Sequence, residues 1–315
     1  MHSRMFCEMA LDFNLRPRGP LLVRSGDEDP LDPTLPDMQF VRTYNAVTGS
    51  STVFIPGSSV KGVVRSHAER LVRSQNSQAA CDPLRKVGSG GMRGSCSFSR
   101  SAGPSHRLSG NEAYKSVCYT CRVFGSTALA SRALFSDLMP DLSLPPILGE
   151  RKGVAIDRVT GGTVRGGLYE MEILEDGLFS GRLMLSNFTI GQLGLLGGAL
   201  LDLSDGLVPI GFGKSKGLGR VSLEFCSLRF RYPVPTGGLI WGVANVGSQE
   251  VVAEYGLGPL IGEDGLSTPT GREQRRGLYT VAFESDDAIR VLLENAVNRW
   301  PEEVAALPWV GGNDR

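Results

Sequence analysis

The 315-residue sequence predicts an α+β fold built on an antiparallel sheet. Three observations predict it. Several short stretches alternate apolar and polar residues, others carry apolar residues at helical spacing, and an arginine-bearing segment between two sheet-like flanks reads as a hairpin.

Taken in order, residues 11–15 (Leu-Asp-Phe-Asn-Leu) alternate as a first strand, and residues 20–26 follow and break at Gly26. Residues 27–37 hold four Asp, one Glu and three Pro, an acidic loop without regular structure. A short strand ends at Ile55-Pro56-Gly57, after which Val60, Val63, Val64, His67, Ala68, Leu71 and Val72 recur at helical spacing. Ser58 or Ser59 is the expected N-cap, and Lys61, Arg65, Arg70 and Arg73 occupy the other face. Residues 74–117 lose periodicity and are rich in Ser, Gly, Arg and Cys; a loop that long needs something besides a core to hold it. Residues 133–138 read as a strand, 149–167 as the arginine-bearing hairpin with 168–174 as its second flank, and 183–185 as a further strand. Residues 190–203 form an apolar helix despite their glycines, and 221–230 alternate again as a strand. A last helix covers 286–298, with Ile289, Leu292, Leu293 and Ala296 on one face, and Trp300-Pro301 terminates it.

Lys plus Arg and Asp plus Glu each number 33, so the net charge is zero. Residues 51–135 nevertheless carry twelve Lys or Arg against three Asp or Glu, a net +9 balanced by −9 elsewhere. A basic block inside a neutral chain predicts a localised face for a polyanion. The 41 glycines are nearly twice the usual share of ~7% and follow no triplet period, which excludes collagen. No run of eighteen apolar residues is present, so no membrane span is expected. The polar start, Met1-His2-Ser3-Arg4, lacks the core of a secretion signal. Six cysteines, four of them in one segment, read as metal ligands in a reducing cytoplasm.

Three constellations carry chemistry. Cys118-Tyr-Thr-Cys121 presents two thiolates on one turn, and Cys81 and Cys96 supply the other two for a tetrahedral Zn(II) that would fold the aperiodic segment. A redox pair and plain packing are the alternatives, and His106 is the substitute ligand; Cys7 and Cys226 are expected to be buried in strands. The loop 211–219 fails as a Walker A motif, because Val208 stands where its first glycine belongs. It fails as a dinucleotide fingerprint because Ser222 stands at the last glycine. It remains either a phosphate-tracking loop with Lys214 and Lys216 or a glycine-rich turn. The acidic loop 27–37 holds carboxylates able to bind a divalent ion, or is a solvated loop; His67 reads as a satisfied core residue.

Residues 55–62 (Ile-Pro-Gly-Ser-Ser-Val-Lys-Gly) resemble the IPGSSLKG signature that opens the first helix of RAMP proteins in CRISPR effector complexes. Residues 211–219 (Gly-Phe-Gly-Lys-Ser-Lys-Gly-Leu-Gly) resemble the RAMP glycine-rich loop, and residues 153–161 (Gly-Val-Ala-Ile-Asp-Arg-Val-Thr-Gly) the thumb hairpin of type III backbone subunits. The three lie in family order, and the resemblance spans roughly residues 10–230.

The resemblance implies an RRM-like, ferredoxin-type palm over residues 1–230, with a zinc-binding insert at 74–122 and a thumb hairpin at 149–170; residues 231–315 form a C-terminal lobe of unassigned role. It implies copies stacked along a CRISPR RNA, each thumb kinking the guide–target duplex, beside other effector subunits in a prokaryotic cytoplasm. Residues 35–42 fall over the family's catalytic loop, which puts Asp37 on the position that cleaves target RNA with Mg(II) or a similar ion. Asp27, Asp29 and Asp32 lie further upstream as weaker candidates. The implied RNA contacts are Arg42, Ser58, Ser59, Lys61, Arg65, Arg158, Lys214, Ser215 and Lys216. The cysteine insert departs from ordinary type III backbone subunits and is similar to inserts of type III-D and III-E relatives and of systems derived from them. In some of those a separate nuclease cuts the target. A non-catalytic scaffold is therefore the alternative, followed by a guide-precursor-processing endoribonuclease, for which His67 is the one plausible acid–base histidine. A zinc-dependent RNA scaffold unrelated to CRISPR is a further rival. Base pairing reads sequence in such a complex, so the protein needs only to bind backbone and shape, and an aromatic content of 7% fits that division.

Overall fold

Alternating burial sets the long strands. β1 (Glu8–Pro17) buries Met9, Leu11, Phe13 and Leu15 on one face, and β2 (Arg42–Asn45) pairs with β3 (Ser50–Val53) in a short hairpin that periodicity did not reveal. The computed structural model describes residues 3–26, 36–84, 93–97, 108–267 and 272–307. α1 (Gly57–Gln75) follows and buries Val60, Val64, Ala68 and Val72, one every turn. Its N-cap is Pro56, without a side-chain bond, so neither Ser58 nor Ser59 caps it. The Gly57 N–H instead donates to Asp137 Oδ1 at 2.8 Å, so a side chain from a distant segment satisfies the first amide of the helix, where a serine cap was expected.

The aperiodic segment contains α2 (Gly110–Ser116), opened by a Ser109–Glu112 capping box, and α3 (Tyr119–Phe124) follows just beyond it. Then come β4 (Ala133–Phe135), β5 (Met139–Pro140), the hairpin strands β6 (Ile147–Ile156) and β7 (Thr163–Asp176), β8 (Phe179–Ser186), α4 (Ile190–Ser204) and β9 (Val221–Tyr232). The remainder comprises β10 (Ile240–Trp241), α5 (Val243–Val246), α6 (Gln249–Glu254), β11 (Gly265–Leu266), β12 (Arg272–Arg276), β13 (Leu278–Phe283), α7 (Asp286–Val297) and α8 (Arg299–Ala306).

The main sheet is antiparallel, in the order β12-β13-β9-β1-β8-β4, with β5 also on β8. Its middle four strands, β9-β1-β8-β4, are linked by α1 between β1 and β4 and by α4 between β8 and β9. That is the βαββαβ order of a ferredoxin-like sheet. α4 is apolar nearly all round because it lies between β9 and the helices α1, α7 and α8. Its glycines answer to that packing: a Cβ on Gly194 would fall 2.0 Å from the Ala296 carbonyl of α7.

The boundary expected near residue 230 falls inside β9. The chain beyond it returns to the same sheet through β13 and β12, and to α4 through α7 and α8. Pro301 does not stop the helical run. Asn298 closes α7 and opens α8, and Pro301 sits in the first turn of α8, where its missing N–H is not needed. Cys226 is exposed, because it is the extra residue of a bulge between β9 and β1, where strict alternation fails; Cys7 is buried as expected.

Candidate functional site

Cys81, Cys96, Cys118 and Cys121 are all buried and free of disulfides, and their Sγ atoms lie within 4.8 Å of one another. The Cys81 and Cys121 sulfurs are 3.6 Å apart. Tetrahedral Zn(II) with bonds of about 2.3 Å separates its sulfurs by about 3.8 Å, so the donor set fits such an ion. The Cys118 N–H donates to Cys96 Sγ at 3.2 Å and the Cys121 N–H to Cys118 Sγ at 3.4 Å, the contacts a thiolate needs when removed from water. Hydrogen bonding to Cys118 pushes the Cys81 and Cys121 thiols up. Cys118, although burial opposes its ionisation, is pulled well below the usual thiol range by bonds from Cys121, Cys81 and Cys96. Cys96 is lowered too: its contact with Cys118 and its burial oppose this, but its bonds with Cys121 and Cys81 outweigh them. A divalent metal such as zinc would bind all four as thiolates, offset half of their charge and hold the insert together.

The arginines around this centre point inward. Arg65 donates to Glu69 Oε1 at 2.9 Å, to the Gly125 carbonyl at 3.1 Å and to Cys121 Sγ at 3.4 Å. Lys61 is half-buried, with Nζ donating to Ser131 Oγ at 2.8 Å. Arg93 donates to the Ser116 carbonyl and Arg122 to the Tyr114 carbonyl; Arg132 reaches the Arg122 and Asn187 carbonyls and Gln192 Oε1. Among the described basic residues of the +9 block, Lys61, Arg65, Arg73, Arg93, Arg122 and Arg132 are therefore engaged within the fold. The block is not a measure of surface charge.

A second cluster gathers at the root of the β6–β7 hairpin. Asp37 is exposed, and its Oδ2 accepts the Glu170 N–H of β7 at 2.8 Å. Met38 bridges Met171 in parallel. Arg42 grips Glu172 through two bonds of 2.9 and 2.5 Å, and Glu172 also accepts the Phe40 N–H. Burial opposes ionisation of Glu172, yet the Arg42 guanidinium and that N–H hold its carboxyl below the ordinary range. At Tyr169, the residue before Glu170, Lys216 Nζ donates to Oη at 2.5 Å and lies 4.8 Å from the centre of the ring. Gly153 sits opposite Tyr169 in register, and a Cβ there would come within 2.2 Å of the ring. A glycine inside a strand was the sequence signal for that close approach; Tyr169, Glu170 and the Lys152–Glu170 ion pair (2.7 Å) escaped notice.

Asp37, Arg42 and Lys216 thus meet at one place through β7. Lys214 and Ser215 are exposed in the adjoining short turn Lys214–Lys216, and Arg158 is exposed in the turn at the far end of the hairpin. Ser58 and Ser59 lie on the first turn of α1; no hydrogen bond or ion pair joins them to the root among the described residues. His67 Nε2 is 2.5 Å from Asp202 Oδ2, an interhelical contact between α1 and α4. Asp27, Asp29, Asp32 and His106 lie outside the described residues. No helix among the described residues is long and apolar enough to cross a membrane.

No curated protein matches the chain. A model of the RAMP superfamily matches residues 16–222, more than half of the chain, from the end of β1 through the cysteine centre, the hairpin and the glycine-rich loop to the start of β9. Together with the βαββαβ sheet, that match places the protein: it belongs to the RAMP superfamily.

Proposed function

We propose, from the association of RAMP proteins with CRISPR RNA binding, that this chain is a guide-binding backbone subunit of a type III-like effector complex. Copies of it stack along the guide, the β6–β7 hairpin serves as the thumb that kinks the guide–target duplex, and Asp37 serves target-RNA cleavage. The observation that carries this reading is the position of Asp37, an exposed carboxylate fixed at the root of the hairpin by the Glu170 N–H. Lys214, Ser215 and Lys216 beside it, and Arg158 at the hairpin tip, are placed to meet phosphates. Arg42 and Arg65 act by holding Glu172 and Cys121, so they support RNA contact from behind.

A single carboxylate with one oxygen bound to backbone leaves the other for a hydrated Mg(II), which characteristically takes one or two carboxylates plus waters and substrate phosphates. That ion would supply charge stabilisation at the scissile phosphate. The chain itself orients the carboxylate and anchors the backbone on either side.

The test is cleavage of guide-complementary RNA by the purified assembly with Mg(II), wild type against Asp37→Ala. Cleavage should fall by about 100-fold or more, the scale of a lost general base or its equivalent, with guide binding intact. Undiminished cleavage by Asp37→Ala assigns the cut to another residue. Binding without cleavage by either protein makes the chain a scaffold served by a separate nuclease, and a wild type that binds no guide overturns the reading.

A further inference from the structure

Glu69 lies on α1, buried, and accepts from two arginines at once. Arg65 Nε donates to Oε1 at 2.9 Å, and Arg73 Nη2 donates to Oε2 at 3.0 Å. Each arginine then reaches a different half of the cysteine site. Arg65 bonds Cys121 Sγ and the Gly125 carbonyl that closes α3, on the Cys118–Cys121 knuckle. Arg73 bonds the Cys81 carbonyl at 3.2 Å, on the upstream loop.

Two partly exposed arginines on one buried carboxylate are not by themselves a stabilising arrangement, because desolvating Glu69 offsets much of the attraction. Its geometry is more informative than its energy. Two guanidiniums and one carboxylate leave a net +1 beside four sulfurs which, holding Zn(II), carry a net −2. The set therefore supplies counter-charge as well as direction. It also spans α1 at positions i, i+4 and i+8, so both halves of the site lean on one rigid helix.

We infer that Arg65, Glu69 and Arg73 are positioning residues that join the two halves of the cysteine site to α1, so that metal loss is transmitted to the helix rather than confined to the insert. This rests on the cysteine geometry and is independent of the RNA reading. None of the three touches the metal; they orient what does, as outer partners of metal ligands do.

The experiment follows zinc release to a chromogenic chelator, together with amide hydrogen exchange in α1 before and after metal removal. Glu69→Gln and Arg65→Met should release zinc about 10- to 100-fold faster than wild type, the usual cost of losing an outer partner. Arg65→Lys should fall between them and wild type, since an ammonium keeps the charge but cannot reach three acceptors in one plane. Arg70→Met, exposed on the same helix, should behave as wild type. Removing zinc from the wild type should speed exchange along the 65–73 stretch of α1, and in Glu69→Gln that added effect should shrink. Helical circular dichroism identifies any variant that fails to fold, and Arg73→Lys then takes its place. Folded variants releasing zinc within about twofold of wild type would overturn the inference, given the effect expected of outer partners. So would α1 exchange indifferent to the metal. A wild-type chain that takes up no zinc would overturn it at the outset while leaving guide binding to be judged separately.

Discussion

Charged residues around the cysteine centre and at the hairpin root are of the same kinds and do opposite things. Near the cysteines Arg93, Arg122 and Arg132 are buried, and their guanidiniums satisfy backbone carbonyls and side chains drawn from several segments. At the root, Asp37 and Lys216 are exposed, and among the described residues each side chain is held by one hydrogen bond. The first arrangement builds a structure that salt cannot screen. The second leaves charge available to a polyanion and sensitive to ionic strength. A count of arginines therefore says little about a binding face until the direction of each side chain is known.

The comparison breaks most visibly at the metal. Cys118→Ser, or exhaustive chelation, should unfold the insert, since a structural zinc supplies about 10–16 kcal/mol of folding free energy in small zinc domains. Calorimetry with zinc quantitation checks this, and unaltered melting would reduce the four thiols to packing. Next is Arg132→Met, which strands the Arg122 and Asn187 carbonyls and takes one donor from Gln192 Oε1; it should cost about 1–3 kcal/mol for each group left unsatisfied, read in urea unfolding. The control for both is Lys152→Met, which removes an exposed pair at the root and should leave the melting temperature unchanged.

A smaller effect is expected from pH, at the inward-facing carboxylates on the N-terminus of α4. Burial, more than any neighbour, raises Glu303 to about 8 and Asp264 to about 6, although each accepts backbone N–H bonds there. Both folded values lie above the unfolded ones, so the unfolded chain binds fewer protons through this range. Their contribution is full below about pH 4 and is lost as pH rises through about 6 for Asp264 and about 8 for Glu303. Stability should thus fall towards alkaline pH by up to about 1.4 kcal/mol per pH unit for each group, and Glu303→Gln should flatten the upper part of the curve. Thermal melts from pH 5 to 9 decide it.

Smallest is the salt dependence of guide binding. Lys214→Met and Lys216→Met should each lower the slope of log affinity against log salt by about 1, while Arg122→Met should not change it. Equal effects from all three would erase the distinction between the two regions.

Much of the fold was legible because its signals are local. Period-two burial marked β1 and β9, helical spacing marked α1, α4 and α7, and the flanks of the arginine-rich segment marked β6 and β7. The Cys118–Cys121 spacing pointed to the four-cysteine cluster that could hold a metal, and the three family motifs lie inside the span the superfamily model matches. What failed was whatever depended on a distant partner. Asp137, eighty residues away, caps α1 where a serine was expected, and a bulge against β1 turns Cys226 outward.

The sequence by itself determined which residue types are present and which short segments form strands and helices, because those follow from backbone sterics and periodic burial within a few residues. Only the tertiary structure decided which charges face inward. Arg65 reaches a sulfur 56 positions on and Arg132 a glutamine 60 positions on, and Asp37 meets the N–H of a residue 133 positions away. A side chain's direction is set by the partner that offsets its desolvation, and that partner is brought close only by the completed fold.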